Sequence, residues 1–387
     1  MMQIPAEFDA IRPYTPEELP AVFEELIADP SFREIASSLY KDTPFEYLAA
    51  ELRKCRSNQE VQEKFFYPLL MQLAADQTDG TDWDATQLPP DRTKRFTFIS
   101  NHRDIVIDSA FLSMLLIHHH YPCTVEIAIG DNLLIHPWIK KLVRVNKSFI
   151  VQRSLSMRQM LESSTLMSRY MHYAVNQKQE NIWIAQREGR AKDSNDQTQE
   201  SVLKMMAMGG EGSLKERLKD MHLVPLSISY EYDPCDYLKA KEFQQKRDNS
   251  HFKKGPQDDL ISMQQGIFGR KGRVHYHCGT CLDEWIDQLD DKLPKTDFFA
   301  TVAHQIDQSI YANYRIYPGN YVAADWLENG TRFASKYTAD ERAVFETYLK
   351  GQLAKIELPN KDEDFLRTLL LTMYANPLYN QLKTQNQ

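Results

Sequence analysis

Two periodicities divide the chain. Between residues 15 and 80 apolar side chains recur at helical intervals: Phe23, Leu26 and Ile27, then Phe32, Ile35 and Leu39, then the runs 45–53 and 61–75. Thr15-Pro-Glu-Glu supplies a helix start, and Asp79-Gly-Thr-Asp with Pro89-Pro90 predicts a polar linker. From residue 95 onward the pattern shortens to strand-like runs at 95–100, 124–129, 148–152, 182–185, 223–229 and 274–277, most of them separated by helical stretches. The longest of those, 156–179, places Met160, Leu161, Leu166, Met167, Tyr170, Met171 and Ala174 largely along one side. Helix-like sequence returns at 285–314, 339–356 and 362–374. The pattern predicts an N-terminal helical domain over 1–90, an α/β domain over 91–282 and a C-terminal helical region over 283–387. The α/β domain should hold a mixed, largely parallel sheet with flanking helices.

Charge and cysteine usage narrow the classes. A net charge of -8 on 387 residues gives no reason to expect nucleic acid as a partner. Five cysteines in so long a chain make no disulfide framework and fit a reducing, cytoplasmic setting. Cys278-Gly-Thr-Cys281 lacks a second ligand pair at zinc spacing and ends an apparent strand, so it reads as structural. His118-His-His120 reads as a helix end, which leaves no metal site to expect. The N-terminus shows no basic stretch followed by an apolar run, and no apolar run approaches the roughly 20 residues needed to span a bilayer. Membrane contact is therefore expected to be peripheral. Trp138-Ile-Lys-Lys-Leu-Val-Arg-Val, with apolar and basic side chains together, suits an anionic surface such as the inner face of a membrane.

The chemistry centres on the junction between the run 95–100 and the helical spacing of Val106, Ala110, Phe111, Met114, Leu115 and Ile117. His102 falls there, where a strand stops and a helix begins. His102-Arg103-Asp104 spells the start of a kinase catalytic loop, but Ser109 stands where that loop needs Asn, and no Asp-Phe-Gly follows. Gly-x-Ser-x-Gly, His-Glu-x-x-His and a phosphate-binding Gly-Lys-Ser/Thr loop are absent too. A His with a nearby Asp can instead act as a base: the carboxylate fixes the tautomer and leaves the second ring nitrogen free to take a proton. Asp104 and Asp108 both qualify, and Asp104 can equally be a helix cap. Between Asp131 and Glu162 there are basic but no acidic residues, with Arg153 just after the run 148–152, and Arg187 to Lys192 follows the run 182–185. Guanidiniums at successive strand ends suit bidentate phosphate binding.

Four blocks in order resemble the glycerolipid acyltransferases, most closely the glycerol-3-phosphate and dihydroxyacetone-phosphate branch. Ser100-Asn-His102-Arg103 through Asp108 is similar to the first block, a His, four residues and an Asp. Gly130-Asp-Asn-Leu-Leu with 148–153 resembles the second, Glu188-Gly189-Arg190 the third, and Val224 to Tyr230 the fourth. Two departures stand out: five residues separate His102 from Asp108, and no residue lies between Gly189 and Arg190. The resemblance covers about 95–282. It implies acyl transfer from an acyl thioester, carried by CoA or acyl-carrier protein, to a hydroxyl of glycerol-3-phosphate or a related phosphorylated glycerol. Lysophosphatidic acid as acceptor, or a lipid-binding member without catalysis, are the alternatives. No cofactor is implied. His102 would be the base with Asp108, or alternatively Asp104, orienting it, and Glu188-Gly189 would shape the floor and offer N–H groups to the oxyanion. Arg103, Arg153, and Arg190 or Lys192 would bind substrate.

Overall fold

The computed structural model describes residues 4–153 and 156–385. Its N-terminal part is helical, with α1 at Leu19–Ala28, α2 at Pro30–Leu39, α3 at Phe45–Lys54, α4 at Asn58–Val61 and α5 at Tyr67–Gln77. Asp29 caps α2, its carboxylate accepting from the Ser31 and Phe32 N–H groups. The sheet begins earlier than the sequence suggests, because β1, Thr78–Asp84, occupies the stretch read as a linker. Strand β2 is Thr97–Ser100, followed by α6 (Ile107–His118), β3 (Val125–Gly130), α7 (Pro137–Val145), β4 (Ser148–Val151), α8 (Met157–Asn176) and β5 (Asn181–Ala185). Helices α9 (Glu200–Met206) and α10 (Leu214–Lys219) precede β6 (Leu223–Tyr230), and α11 (Asp236–Asp248) and α12 (Pro256–Phe268) precede β7 (Gly272–Cys278). The chain ends in α13 (Asp283–Asp287), α14 (Lys295–Ala312), α15 (Pro318–Leu327), α16 (Ala339–Ala354) and α17 (Glu363–Gln385).

The strands form one sheet in the order β1-β7-β6-β2-β5-β3-β4. Every pair is parallel except β6 with β7. All residues of β2 and β6 are buried, as expected of strands covered on both faces. Chain order reverses at β2, which has β5 on one side and β6 on the other. Crevices in open α/β sheets form at the carboxyl ends of strands at such a switch point. Ser100 pairs with Ala185, so His102 and Arg187 each lie two residues past the same rim. Gly130 pairs with Val151, which carries Arg153 equally far.

Packing crosses the boundaries expected at residues 90 and 282. Strand β1 is the parallel partner of β7, and its acidic side chains face His275 and His277, with Asp82 3.0 Å from His275. Such polarity suits an edge strand, and it is why the stretch reads as a loop. Helices α1 to α3 share a core with Trp138 and Val145 of α7. Helix α14 lies under the sheet, where Phe299, Val302 and Ile306 join the cluster of Ile99 and Ile182. Helices α15 to α17 build a further core around Phe345, Leu366 and Leu370, together with Ala240 of α11.

Replacing the Trp138 ring, which lies 6.2 Å from Phe32, tests the first of these joints. Trp138→Ala is expected to cost about 3 to 5 kcal/mol in urea unfolding. A loss under about 1 kcal/mol would mean that α7 and the N-terminal helices do not share a core.

Candidate active site

His102 leaves β2 with its imidazole nearly covered, 13% exposed, and its Nδ1 2.8 Å from Asp108 Oδ2. The Asp108 carboxylate is fully buried. Its Oδ2 also accepts from the backbone N–H groups of Arg103 (2.7 Å) and Asp104 (3.0 Å), and its Oδ1 accepts from the Tyr230 hydroxyl at 2.8 Å. Asp108 sits in the first turn of α6, where the helix dipole favours a negative charge. Asn101 ties the loop to β6 in both directions, donating to the Ile228 carbonyl at 2.9 Å and accepting from its N–H at 2.8 Å. The Trp183 ring meets the imidazole at an angle of 67° with centroids 5.5 Å apart.

Asp104 has the other job open to it. Its Oδ1 accepts from the Val106 and Ile107 N–H groups at 2.9 and 2.8 Å, so it caps the entry to α6. Its Oδ2 is buried, has no hydrogen-bond partner among the described residues, and lies against Gly266, where an added Cβ would fall 1.9 Å from it. Burial and the neighbouring Asp108 push the Asp104 pKa up.

His102 opens into a cavity of about 820 Å³. Its wall is apolar and comes from several elements: Ile35 and Leu39 of α2, Leu69, Leu70 and Leu73 of α5, Met114 and Ile117 of α6, Leu142 of α7, and Leu260, Met263 and Ile267 of α12. Cationic side chains line it too, Arg153, Arg187, Arg190, Lys192 and Lys254. Arg153 folds across the end of β3 into the space left by Gly130, where a Cβ would lie 2.8 Å from its Nε. Among the described residues Arg187 Nε and Arg190 Nη1 are buried without a hydrogen-bond partner, an expensive state unless a ligand completes it. Burial works against the Arg190 charge, yet the acidic groups around it, Asp104, Asp233 and Asp259 among them, raise its pKa.

Several expected site residues are placed differently. Arg103 points away from the cavity into a buried ion pair with Asp196, 2.7 Å away, so it is not positioned to bind substrate there. The Glu188 side chain is 73% exposed and lies 3.5 Å from Arg153, while its N–H is taken by Gln199 Oε1 at 2.7 Å. That N–H is unavailable to an oxyanion. Gly189, at φ +68°, lines the cavity, and no hydrogen bond to it is found among the described residues. Lys192 is paired with Glu242, and burial lowers its pKa. Between Arg190 and Lys192, Arg190 is the group with an unfilled donor. On α7 Trp138 is buried, Lys141 pairs with Glu25 at 2.7 Å, and Arg144 donates to the Arg12 carbonyl at 2.8 Å. The apolar side of α7 packs against the N-terminal helices.

Helix α12 contributes beyond the expected residues, and its signal in the sequence is the recurrence of Leu260, Met263 and Ile267 at helical spacing. Arg187 is legible only as part of the basic run after β5, since no block of the resemblance selects it. Cys278 is sealed in the core. Cys281 lies with His222 and Asp283, their ligand atoms within 4.8 Å of one another, at the opposite ends of the strands from His102. His222 and Asp283 are hydrogen-bonded to each other at 2.6 Å. Among the described residues no helix is long and apolar enough to cross a membrane.

Residues 84–229, the span holding β2 to β6 and the His102 loop, match the family model Acyltransferase. Over these residues the chain is similar to acyltransferases. A search of curated proteins found no match. Among solved structures the chain is similar to the crystal structure of the 1-acyl-sn-glycerophosphate (LPA) acyltransferase, PlsC, from Thermotoga maritima, at 12% identity. That alignment covers 78% of this chain and 98% of the other with a TM-score of 0.37, a remote likeness that adds nothing to the fold read from the sheet itself.

The division of labour between the two carboxylates is open to a stability test. Asp104→Ala is expected to lose about 1 kcal/mol by removing the cap, and Asp104→Asn only a few tenths, since Asn caps as well as Asp. Equal losses in denaturant titrations would show that the cap contributes nothing.

Proposed function

We propose that the protein transfers a fatty acyl group from an acyl thioester to a hydroxyl of a phosphorylated glycerol, glycerol-3-phosphate being the simplest. The observation that carries this reading is the position of the His102 imidazole, held by Asp108, at the polar margin of a largely apolar cavity. With Nδ1 committed to Asp108, Nε2 is the base. It takes the acceptor's hydroxyl proton as the oxygen attacks the thioester carbonyl carbon. The new C–O bond forms, the C–S bond breaks, and the imidazolium returns the proton to the departing thiolate. No acyl-enzyme is involved.

The apolar wall receives the acyl chain, so the N-terminal helices and α12 belong to the substrate site. Arg153, Arg187 and Arg190 hold the acceptor's phosphate, and the two buried, unpartnered donors favour an anion there. Fixing the phosphate near the imidazole turns an encounter into a reactive geometry. The Gly189 N–H is the candidate donor to the oxyanion.

Purified protein supplied with acyl-CoA or acyl-carrier protein is expected to release free thiol only when a phosphorylated glycerol is added. His102→Ala should reduce that rate by about 10²- to 10⁴-fold with little change in melting temperature. Thiol release that ignores the acceptor, or a His102→Ala rate within a few-fold of wild type, would refute the reading. Arg153→Ala should raise KM for the acceptor roughly ten- to a hundred-fold while leaving KM for the donor nearly unchanged. Equal effects on both substrates would assign Arg153 to the framework.

A further inference from the structure

His102 and the two arginines Arg187 and Arg190 emerge from neighbouring strands in separate loops. Behind the rim, on the side away from the cavity, the loops are tied together. Arg103, the residue after His102, has its guanidinium 2.7 Å from Asp196, and the two residues are 5% and 0% exposed. Asp196 belongs to the loop 186–199 that carries Arg187, Gly189 and Arg190. Each partner is fixed in turn. The Arg103 N–H donates to Asp108, its carbonyl accepts from Lys239 at 3.1 Å, and its guanidinium lies over the Tyr314 ring, 5.7 Å from the centroid. Asp196 accepts from the Tyr314 hydroxyl at 2.5 Å, and its carbonyl accepts from the Tyr311 hydroxyl.

The loop 186–199 is also closed at its base. Gln199 N–H donates to the Gln186 carbonyl at 2.9 Å, and Gln186 N–H donates to the Ser100 carbonyl at 2.8 Å. Thr198 donates through both its N–H and its hydroxyl to Asp307 of α14, at 2.8 and 2.6 Å. Between these anchors, the Arg103–Asp196 ion pair joins the loop directly to the residue that follows His102.

We propose that Arg103 and Asp196 are positioning residues, a buried ion pair that sets the distance between the imidazole and the anion-holding arginines without touching substrate. The purpose of that distance rests on the function proposed above. The pair is a poor device for stability alone, because desolvation offsets the attraction and apolar residues of similar volume commonly serve as well. Among the described residues Arg103 Nη1 and Asp196 Oδ1 moreover have no hydrogen-bond partner. What an ion pair provides and an apolar contact does not is direction. A misplacement of about 1 Å at a reacting centre can cost roughly a hundred-fold in rate.

The test uses the full chain with Asp196→Asn, and with the double variant Arg103→Met/Asp196→Asn, in which neither charge is left buried alone. Two quantities are read: steady-state kinetics with acyl-CoA and glycerol-3-phosphate, and hydrogen exchange of the segments 100–108 and 186–199. In folded variants kcat is expected to drop by about ten- to a hundred-fold, the donor KM to stay within about threefold, and exchange to rise in both segments together. A kcat within about threefold of wild type, or faster exchange confined to one segment, would overturn the proposal. If the double variant does not fold, Asp196→Asn is read by the same criteria. A wild-type protein that transfers nothing would sink the function reading alone, since the exchange measurement needs no activity and still decides whether the two loops are coupled.

Discussion

The Asp108 carboxylate is out of water entirely, and a buried carboxylate persists only where its oxygens are filled. Four donors fill them: the His102 imidazole, two consecutive backbone N–H groups, and the Tyr230 hydroxyl. Those bonds dictate the shape of the loop between β2 and α6. The two N–H groups curl the backbone around the carboxylate, the imidazole is pinned by Nδ1, and the tyrosine ties the arrangement to β6. Tyr276 of β7 adds a further hold, donating to the Asp108 carbonyl at 2.9 Å. Removing the charge would release the imidazole and the turn together.

Around this point the fold brings together two environments that chemistry would otherwise keep apart. Strands β2, β4 and β5 end level with one another, so His102, Arg153 and Arg187 share one rim. The apolar wall is supplied by elements distant in sequence, α2 and α5 before the central strands and α12 near the end of the sheet. The helices at the N-terminus are therefore part of the site, and β1 at the sheet's edge locks them to β7. The carboxyl-terminal helices reach it by a polar route. Tyr374 of α17 and Tyr348 of α16 donate to Asp236, and Lys239 of the same α11 helix donates to the Arg103 carbonyl.

The central unit was legible because its signals are local: alternation through 95–100, then helical spacing from Val106, with His102 between them. The parts that misled were set by partners elsewhere in the chain. Asp79-Gly-Thr-Asp reads as a linker unless the histidines of β7 are known to face it. Arg103 reads as a substrate ligand unless Asp196, far along the chain, is known to lie behind it. Spacing could not choose between Asp104 and Asp108 for the imidazole, since both are within reach of a loop. The geometry gives each a role, the cap to Asp104 and the imidazole contact to Asp108. Glu188 and Arg190 are adjacent to the same glycine, yet one turns out to solvent and the other into the cavity, a difference decided by the left-handed turn at Gly189.

The account depends most directly on which His102 ring nitrogen carries the proton. Nitrogen-15 NMR of the imidazole in the unliganded protein, at mildly alkaline pH, reads this without any substrate. With Asp108 accepting at Nδ1, the neutral ring should carry its hydrogen there and leave Nε2 bare towards the cavity. A ring protonated at Nε2, or one exchanging freely between the two tautomers, would contradict the proposed base.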